Sequence, residues 1–410
     1  MPTIQNSPDV SVRVVRESVT GTAPAVGTTP CHTLRLVGNS PGLNLKRAPA
    51  KSGEMRADRF AQSSRLGFKT VDGSYNLEGT VGGAVDMLLE AIMRSTWAAS
   101  ALKFTCDAGA AHTSLAFTAN TVTLAGTDTF TTTHGIKVGD VFRCGAVGAT
   151  IDNINCMVAS IDGTGKIITT VGSPLAVVGA DTNATFTLLK KVIASATPTR
   201  YSHTFEQYAQ DVDLSKNFVG CRVTGIKLAG KPGAPVTMSV TIQGMDRTLL
   251  VTGTSPYFTT PTTTTGLTLM VDDSAIWVNG ATAAYVTGFD LDFAINAKGE
   301  PVIGSAVSPD IFDGICSVTG TMTGMVTSAG NEILYDAETT FEVGLLLQEP
   351  GAVPRGCLGF YFGQVKIMDL SAPVGVDVGP QIETMKVEMQ PKVAATGYDA
   401  GVGNICSSGA

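Results

Sequence analysis

The sequence lacks the local signals of most enzymes and of a metal site. Its eight cysteines lie at least 12 residues apart and its four histidines show no paired spacing, so it contains neither a CxxC pair, a zinc knuckle nor an HExxH site. No GxSxG nucleophile elbow occurs, and GTGK at 163–166 lacks the leading glycine and the following Ser or Thr of a phosphate loop. We therefore expect no enzymatic activity, no cofactor and no metal, with the cysteines buried and reduced.

Long hydrophobic runs are also missing. Mean hydropathy is positive, at +0.21, yet no run approaches the roughly 18 apolar residues that a membrane span requires. The first ten residues, MPTIQNSPDV, have neither the basic start nor the apolar core of a secretory signal. The sequence predicts a chain that stays in the cytosol where it is made, makes no membrane contact and spreads its apolar residues along strands.

Charged residues are few, at 15%, and they are unevenly distributed. Residues 1–69 carry 10 Lys or Arg against 4 Asp or Glu, a net +6, whereas the other 341 residues carry 18 against 31, a net −13. Aromatic residues make up only 6% of the chain and do not alternate with the basic ones, as a stacking platform for nucleic acid requires. We expect the basic segment to dock on the acidic body of a neighbouring copy.

Glycine is abundant, with 46 residues, and many runs rich in Val, Ile and Thr alternate in polarity. This composition favours short strands and turns, so we predict a mainly β chain. Changes in composition and residue pattern along the sequence divide it into an N-terminal extended arm (1–60), a β body (61–103 and 196–395), an inserted small all-β domain (104–195) and a C-terminal arm (396–410). Within the body, a Thr- and Pro-rich stretch at about 246–288 is expected to be a loop excursion.

Two local elements stand out in the body. Between Arg65 and Thr80, two alternating runs flank Asp72-Gly73, and this dipeptide between such runs predicts a hairpin. After Gly83 the apolar residues recur with helical spacing as far as Trp97. We predict one short amphipathic helix there, with Glu90 and Arg94 paired on its exposed face.

Asp290 and Asp292 are the one candidate pair of catalytic carboxylates. Residues i and i+2 of a strand share a face, as the two acids of a hydrolase would need. The alternation with Phe289, Leu291 and Phe293 has a simpler explanation, in which the apolar residues face a core and the aspartates face water.

The order of these segments resembles the tail tube proteins of tailed bacteriophages, in the larger form whose tube fold is interrupted by an Ig-like or other small β-domain. The resemblance covers about residues 45–103 and 196–395, and it depends on order and spacing rather than on an invariant motif. It is carried by SGEMRADRFAQSSRLGFKTVDGSYNLEGT (52–80), the helix ending at Trp97, FVGCRVTGIKLAGKPGAPVTMSVTIQGM (218–245), and the closing runs 314–348 and 359–393.

The resemblance implies a tail-tube β-sandwich or barrel with one short flanking helix. In that family each subunit contributes strands to the inner β-barrel of a hexameric ring, and the rings stack into a tube within the virion. The lumen holds the tape measure protein and then conducts double-stranded DNA, while tail terminator and distal tail or baseplate proteins bind the ends of the tube. An acidic wall would let DNA pass, because a basic one would hold its closely spaced phosphates. The inserted domain is expected on the outside.

Strand alternation nominates residues for these surfaces. The candidate lumen-facing residues are Lys69, Ser74, Asn76 and Glu78 in the predicted hairpin, and Thr319, Thr321 and Thr323 in a later strand. The candidate inter-ring contacts are basic residues of the arm: Arg35, Lys46, Arg47, Lys51, Arg56 and Arg59.

Two other functions remain open at this stage. A β-rich receptor-binding or adhesin-type module would be expected to show a signal peptide, an anchor or the repeats of a trimeric fibre, and the sequence shows none of these. A hydrolase on a β-scaffold would need a catalytic site, and none is recognisable.

Overall fold

The computed structural model describes residues 9–50, 58, 64–147, 151–172, 174–194, 197–251, 253–279, 281–283, 285–374, 379–390, 393–394, 397–398 and 403–409. The predicted mainly β fold is confirmed, since strands dominate and the described part of the chain contains two short helices. Neither helix is long and apolar enough to cross a membrane. Two small pairs lie outside the main sheets: β22 (Lys298–Gly299) with β23 (Ile311–Phe312), and β28 (Val393–Ala394) with β29 (Gly397–Tyr398).

The body is built on an antiparallel layer of eight strands, which we call the polar layer because one of its faces carries polar residues. Each strand of this layer is hydrogen-bonded to its neighbours in space. From one edge to the other, the strands are β3 (Gly42–Ala50), β4 (Arg65–Glu78), β16 (Thr237–Gly244), β15 (Leu214–Gly230), β21 (Val286–Ile295), β24 (Cys316–Met325), β27 (Ile382–Met389) and β26 (Cys357–Ser371).

A second layer covers the other face of the polar layer. One part of it comprises β1 (Val10–Arg16), β2 (Cys31–Thr33), β14 (His203–Ala209), β17 (Asp246–Leu250) and β18 (Thr262–Thr263). The other part comprises β13 (Lys190–Ile193), β19 (Met270–Val278), β20 (Ala281–Thr282), β25 (Phe341–Gln348) and β30 (Asn404–Ser407). The long strands β15 and β26 join the layers, because their first halves pair in the second layer and their second halves in the polar layer. One large hydrophobic core lies between, with stacked rings such as Tyr75 and Phe205 bridging it.

Helix α1 (Gly83–Met93) lies inside this core, so the predicted helix is confirmed. Its polar residues are buried as well, which the amphipathic pattern does not predict. Asp86 accepts hydrogen bonds from Ser407 and forms an ion pair with Lys190, at 2.6 Å. Glu90 pairs with Arg16 of β1 rather than with Arg94, which ends the helix in a left-handed conformation. The helix is therefore held on both faces by the chain itself.

Eight strands of the intervening segment form a sheet of their own with a separate hydrophobic core. They are β5 (Ala101–Thr105), β6 (His112–Phe117), β7 (Thr121–Gly126), β8 (Val141–Gly145), β9 (Cys156–Ile161), β10 (Ile167–Thr170), β11 (Val178–Asp181) and β12 (Thr185–Leu188). A third buried cluster joins this unit to the second layer, where Met157 packs against Gly359 and its Sδ accepts from Trp277 Nε1 at 3.4 Å. The unit thus contacts the layer that lies away from the polar face.

The predicted hairpin at Asp72-Gly73 is wrong, because β4 runs straight through it. Strands β3 and β16 pair with β4 on both sides of this position, with Gly73 opposite both Leu43 and Ile242. A Cβ at residue 73 would lie 2.2 Å from the Gly42 carbonyl oxygen. Glycine is required here for a close approach of two backbones, and not for a turn.

Three other expectations on chain layout differ from the structure. The predicted N-terminal arm (1–60) contains β1, β2 and β3, which belong to the two layers. The predicted loop excursion at 246–288 contains β17 and the nine-residue strand β19, which pairs with β25. At the C-terminus β30 is buried between β13 and β26. In each case the segment pairs with strands that are distant in sequence, and the local composition does not reveal this pairing.

Candidate lumen face and assembly edges

The polar face of the eight-stranded layer is defined by strand register. Pairing partners across the layer align polar side chains in two neighbouring rows, separated by an apolar row that faces the core. The first polar row is Asn76, Ser239, Lys227, Asp292, Thr319, Glu388 and Lys366. The second is Glu78, Thr237, Ala229, Asp290, Thr321, Lys386 and Asp369. The apolar row between them is Leu77, Met238, Leu228, Leu291, Gly320, Val387 and Ile367.

This face is slightly acidic, because its two rows hold three lysines and five carboxylates, a net −2. Opposite charges are interleaved: Lys386 lies 2.7 Å from Asp369, and Lys227 lies 3.9 Å from Asp290. The hydrogen bond and the charge of Lys386 lower the pKa of Asp369, and the same contact raises the pKa of Lys386. The pairs are exposed, so their contribution to stability is small, but they fix a mixed surface with few free positive charges.

Six of the seven candidate lumen residues lie on this one face: Ser74, Asn76, Glu78, Thr319, Thr321 and Thr323. Lys69 lies on the opposite face of β4, where its Nζ binds Asp246 of β17 at 2.8 Å. The error follows from the hairpin, since a turn at residues 72 and 73 would have put Lys69 opposite Asn76, whereas an uninterrupted strand puts odd and even residues on opposite faces. That the shared face meets a lumen stays a prediction.

The basic residues predicted to make inter-ring contacts divide into two groups. Arg35 and Lys46 lie beside β4 and bind carboxylates of their own chain, Glu78 at 2.7 Å and Asp72 at 2.6 Å. Arg47 Nε donates to the Gly67 carbonyl. The other three, Lys51, Arg56 and Arg59, lie outside the described residues. Their role between rings stays a prediction.

The body contains the same arrangement twice, which the local sequence patterns do not reveal. The first unit is β3, β4, α1, β14, β15 and β16, and the second is β21, β24, α2 (Gly330–Asp336), β25, β26 and β27. In the first unit the long strand β15 pairs with β14 and then with β16, and β16 pairs with β4, the strand before α1. In the second unit β26 pairs with β25 and then with β27, and β27 pairs with β24, the strand before α2. The helix packs on the long strand in both. Asn76 and Thr319 occupy equivalent positions. Asn76 is aligned with Lys227 of β15 across β16, and Thr319 is aligned with Lys366 of β26 across β27.

The two units join through the pairing of β15 with β21. Their counterparts β26 and β3 are the two end strands of the layer. Within the chain, the second half of β15 pairs with β16 on one side and with β21 on the other. In the equivalent strand β26, residues 366–371 pair only with β27 in the described part of the chain. Strand β3, the equivalent of β21, pairs only with β4 among these residues. One end of the layer therefore presents the edge that the other end could fill.

Exposed apolar side chains lie near these open edges. Met368 of β26 is 52% exposed and Leu66, beside β3, is 64% exposed. Helix α2 has no buried residue, whereas almost all of α1 is buried, and Ile333 of α2 is 64% exposed. Uncovered strand edges and apolar residues of this kind are normally paired or covered by a partner.

A comparison with protein families gives one result that bears on these surfaces. A family model described as phage tail tube protein matches residues 7–353 of the 410, which includes the whole first unit, the inserted segment and the second unit as far as β25. No curated protein matches the chain.

Proposed function

We propose a mode of assembly for this chain, which belongs to the phage tail tube protein family and is a structural subunit of the virion tail. In this proposal β26 of one copy pairs with β3 of the next, so that the polar layers of successive copies close into one barrel. The observation that carries the proposal is the β15–β21 joint inside the chain. Because β26 and β3 are the counterparts of those two strands, the same antiparallel contact can form head to tail between copies. Contacts of this kind generate a ring when the rotation between copies closes.

The number of copies in a ring sets the number of strands and therefore the width of the barrel. Strands spaced about 4.8 Å apart and tilted by about 40° give a barrel roughly 48 Å across for 24 strands and about twice that for 48. Each chain offers eight strands in two equivalent units. Three copies would therefore give 24 strands and six equivalent units, whereas the six copies implied by the resemblance would give 24 strands only if each contributed half of its layer. The duplication favours three copies, because three duplicated chains supply the six equivalent units that six single-unit subunits would supply.

The rings would stack into a tube whose lumen is lined by the polar face. A net −2 on this face of each copy, with its lysines paired to carboxylates, would offer little attraction to DNA phosphates. DNA could then pass without being held, after the tape measure protein has left. Tail terminator and distal tail or baseplate proteins would bind the ends of the tube. The inserted unit would lie outside, since its described residues contact the second layer.

The experiment that tests this proposal is native mass spectrometry with negative-stain microscopy of the purified chain, compared with a Met368→Asp variant. The exposed position of Met368 should spare the fold, while a carboxylate on the β26 edge should block pairing. Val177→Asp is the matched control, because Val177 is an 80% exposed apolar residue of the inserted unit. At high protein concentration, rings of three times the 42.3 kDa chain mass are expected for wild type and control, and monomers for the edge variant.

Two outcomes would contradict parts of this proposal. Rings of six times the chain mass would contradict the three-copy ring. Rings or tubes that form equally well with Met368→Asp would show that β26 is not the joint.

A further inference from the structure

The inserted unit contains a cluster of two histidines and one aspartate that no motif in the sequence marks. His112 Nδ1 forms a hydrogen bond with Asp128 Oδ2 at 3.0 Å, and His134 Nε2 lies 3.4 Å from the same oxygen. The ligand atoms of all three residues lie within 4.8 Å of one another. This cluster is separate from the assembly surfaces, and its chemistry does not depend on the proposed function.

The backbone around the cluster holds these side chains in place. His112 begins β6 opposite Gly126 at the end of β7. The next residues are fixed because the amides of Thr127 and Asp128 both donate to the Ala111 carbonyl, at 2.7 and 3.1 Å. The loop then closes on itself, with the His134 amide donating to the Thr129 carbonyl at 3.3 Å. The cluster thus joins the start of β6 to the loop that follows β7.

The buried ring of Phe104 packs against both imidazole rings and further restricts their orientation. The ring of Phe104 lies 5.2 Å from that of His112 and 4.4 Å from that of His134, measured between centroids. Phe104 is itself buried in the core of the inserted unit and stacks on Phe186. Both histidine rings are therefore packed against a rigid surface, as the side chains of a preorganised site are.

His134 supplies a second, independent observation. Its side chain is only 8% exposed, and its buried Nε2 has no hydrogen-bond partner in the described part of the chain. The contact with Asp128 at 3.4 Å is too poorly aligned to count as a hydrogen bond, so this nitrogen points towards the carboxylate without being satisfied by it. Buried polar atoms are almost always paired, and an unpaired one indicates a functional role or a bound species.

We propose that His112, Asp128 and His134 bind a divalent cation of the zinc class. Two imidazole nitrogens and one carboxylate oxygen are ligands that Zn²⁺ takes at about 2.0–2.2 Å. In a tetrahedral site this places ligand atoms about 3.3 Å from each other. The two spacings to Asp128 Oδ2, 3.0 and 3.4 Å, are close to that value, and all three ligand atoms lie within 4.8 Å of one another. His112 is 25% exposed, which leaves room for water as a fourth ligand. The metal would tie the loop to β6 and stabilise the inserted unit.

One neighbouring charge opposes the cation. Lys103 is close enough to act electrostatically on His134. Zinc, which makes strong bonds to imidazole, can overcome one opposing charge, whereas Mg²⁺ and Ca²⁺ prefer oxygen ligands and should not bind here.

The test uses the full-length chain stripped with a chelator. We expect calorimetry to show one Zn²⁺ site per chain, and thermal unfolding to shift upwards on adding zinc. In His112→Gln and in the near-isosteric Asp128→Asn, zinc affinity should fall by more than about tenfold and the thermal shift should disappear. His32→Gln is the matched control, since it removes a half-buried histidine from the body and should leave both readouts unchanged.

Cobalt substitution distinguishes this site from the cysteines. All eight cysteines are free thiols, and a stray site built from them would give an intense thiolate-to-cobalt absorption band. The proposed site should give only the weak bands of nitrogen and oxygen ligation. The proposal is overturned if zinc does not bind stoichiometrically, if a thiolate band appears, or if both ligand variants, folded by circular dichroism, bind zinc as the wild type does.

Discussion

Acidification should destabilise the body through one histidine. His203 of β14 is fully buried, and its backbone pairs with Arg16 and Cys221 on either side. Burial, and after it the positive charges of Arg16 and Arg222, lower the pKa of His203 to about 3 from the usual 6.5. The folded chain therefore keeps this imidazole neutral at pH values where the unfolded chain protonates it. Stability is complete above pH 6.5 and is lost as the pH falls towards 3.

The size of the effect follows from the two pKa values. Linkage gives a loss of roughly 2 kcal/mol of unfolding free energy between pH 7.5 and pH 5, and roughly 3 kcal/mol by pH 4, from this group alone. The assay is urea unfolding of dilute monomer at pH 7.5 and pH 5.0, in wild type and in His203→Leu. Leucine cannot titrate, so the variant should lose roughly 2 kcal/mol less than the wild type, whatever its stability at neutral pH.

A control and a refuting result complete this experiment. His32→Gln removes a half-buried histidine from β2 and should keep most of the wild-type pH dependence. If wild type and His203→Leu lost the same free energy between the two pH values, the burial of a neutral His203 would be ruled out as a source of acid lability.

Three further predictions concern packing and thiol reactivity. Gly344→Ala would place a Cβ 1.9 Å from Trp277 Nε1, and we expect it to lower unfolding free energy by about 2–3 kcal/mol in urea titrations; an unchanged midpoint would contradict the packing of Trp277. Gly73→Ala would set a Cβ against the Gly42 carbonyl, so hydrogen exchange should speed up in β3 and β4 while the inserted unit keeps its protection. Burial raises the pKa of the cysteine thiols, to about 12 at Cys156, so a thiol reagent at pH 7.5 should label the seven buried cysteines only after denaturation; labelling of the native chain at any of them would refute this.

Strand alternation is sufficient to predict some features and not others. Phe289, Leu291 and Phe293 are buried, while Asp290 and Asp292 are partly exposed, as the period of two predicts. The alternation is reliable there because one face of β21 is apolar and the other is polar. It carries no information on which strands pair, and that is why the strands in the predicted arm and loop excursion are missed.

The Asp72-Gly73 dipeptide shows why a strong local signal can fail. In isolation it favours a two-residue turn. In the fold, pairing of β4 with β3 and β16 forms hydrogen bonds on both sides of the dipeptide, and these outweigh a local preference for turning. The hairpin error then carries over to Lys69, which is on the other face. Local sequence alone cannot correct it, because the partners lie more than 25 residues away in one case and more than 160 in the other.

The duplication and the His–Asp cluster could not be predicted from the sequence, because both depend on residues that are brought together only by the fold. The two long strands share little beyond the triplets Ile226-Lys227-Leu228 and Val365-Lys366-Ile367, in which a lysine of the first polar row is flanked by two buried aliphatic residues. The three residues of the cluster come together only because the loop after β7 folds back onto the start of β6. Neither feature has a spacing that sequence motifs describe.

The duplication also bears on how a ring could close without new chemistry. At the joint within the chain, Ile226 and Leu228 of β15 lie beside Phe293 and Leu291 of β21, and all four are buried in the core. The open edge of β26 offers aliphatic residues in the same alternation, and β3 offers the buried Leu43 and the partly buried Leu45. A joint that is intramolecular forms with the benefit of a high effective concentration, whereas its copy between chains must bear the full cost of association. A subunit built this way could remain monomeric when dilute and still close into rings where subunits are brought together, using one contact twice.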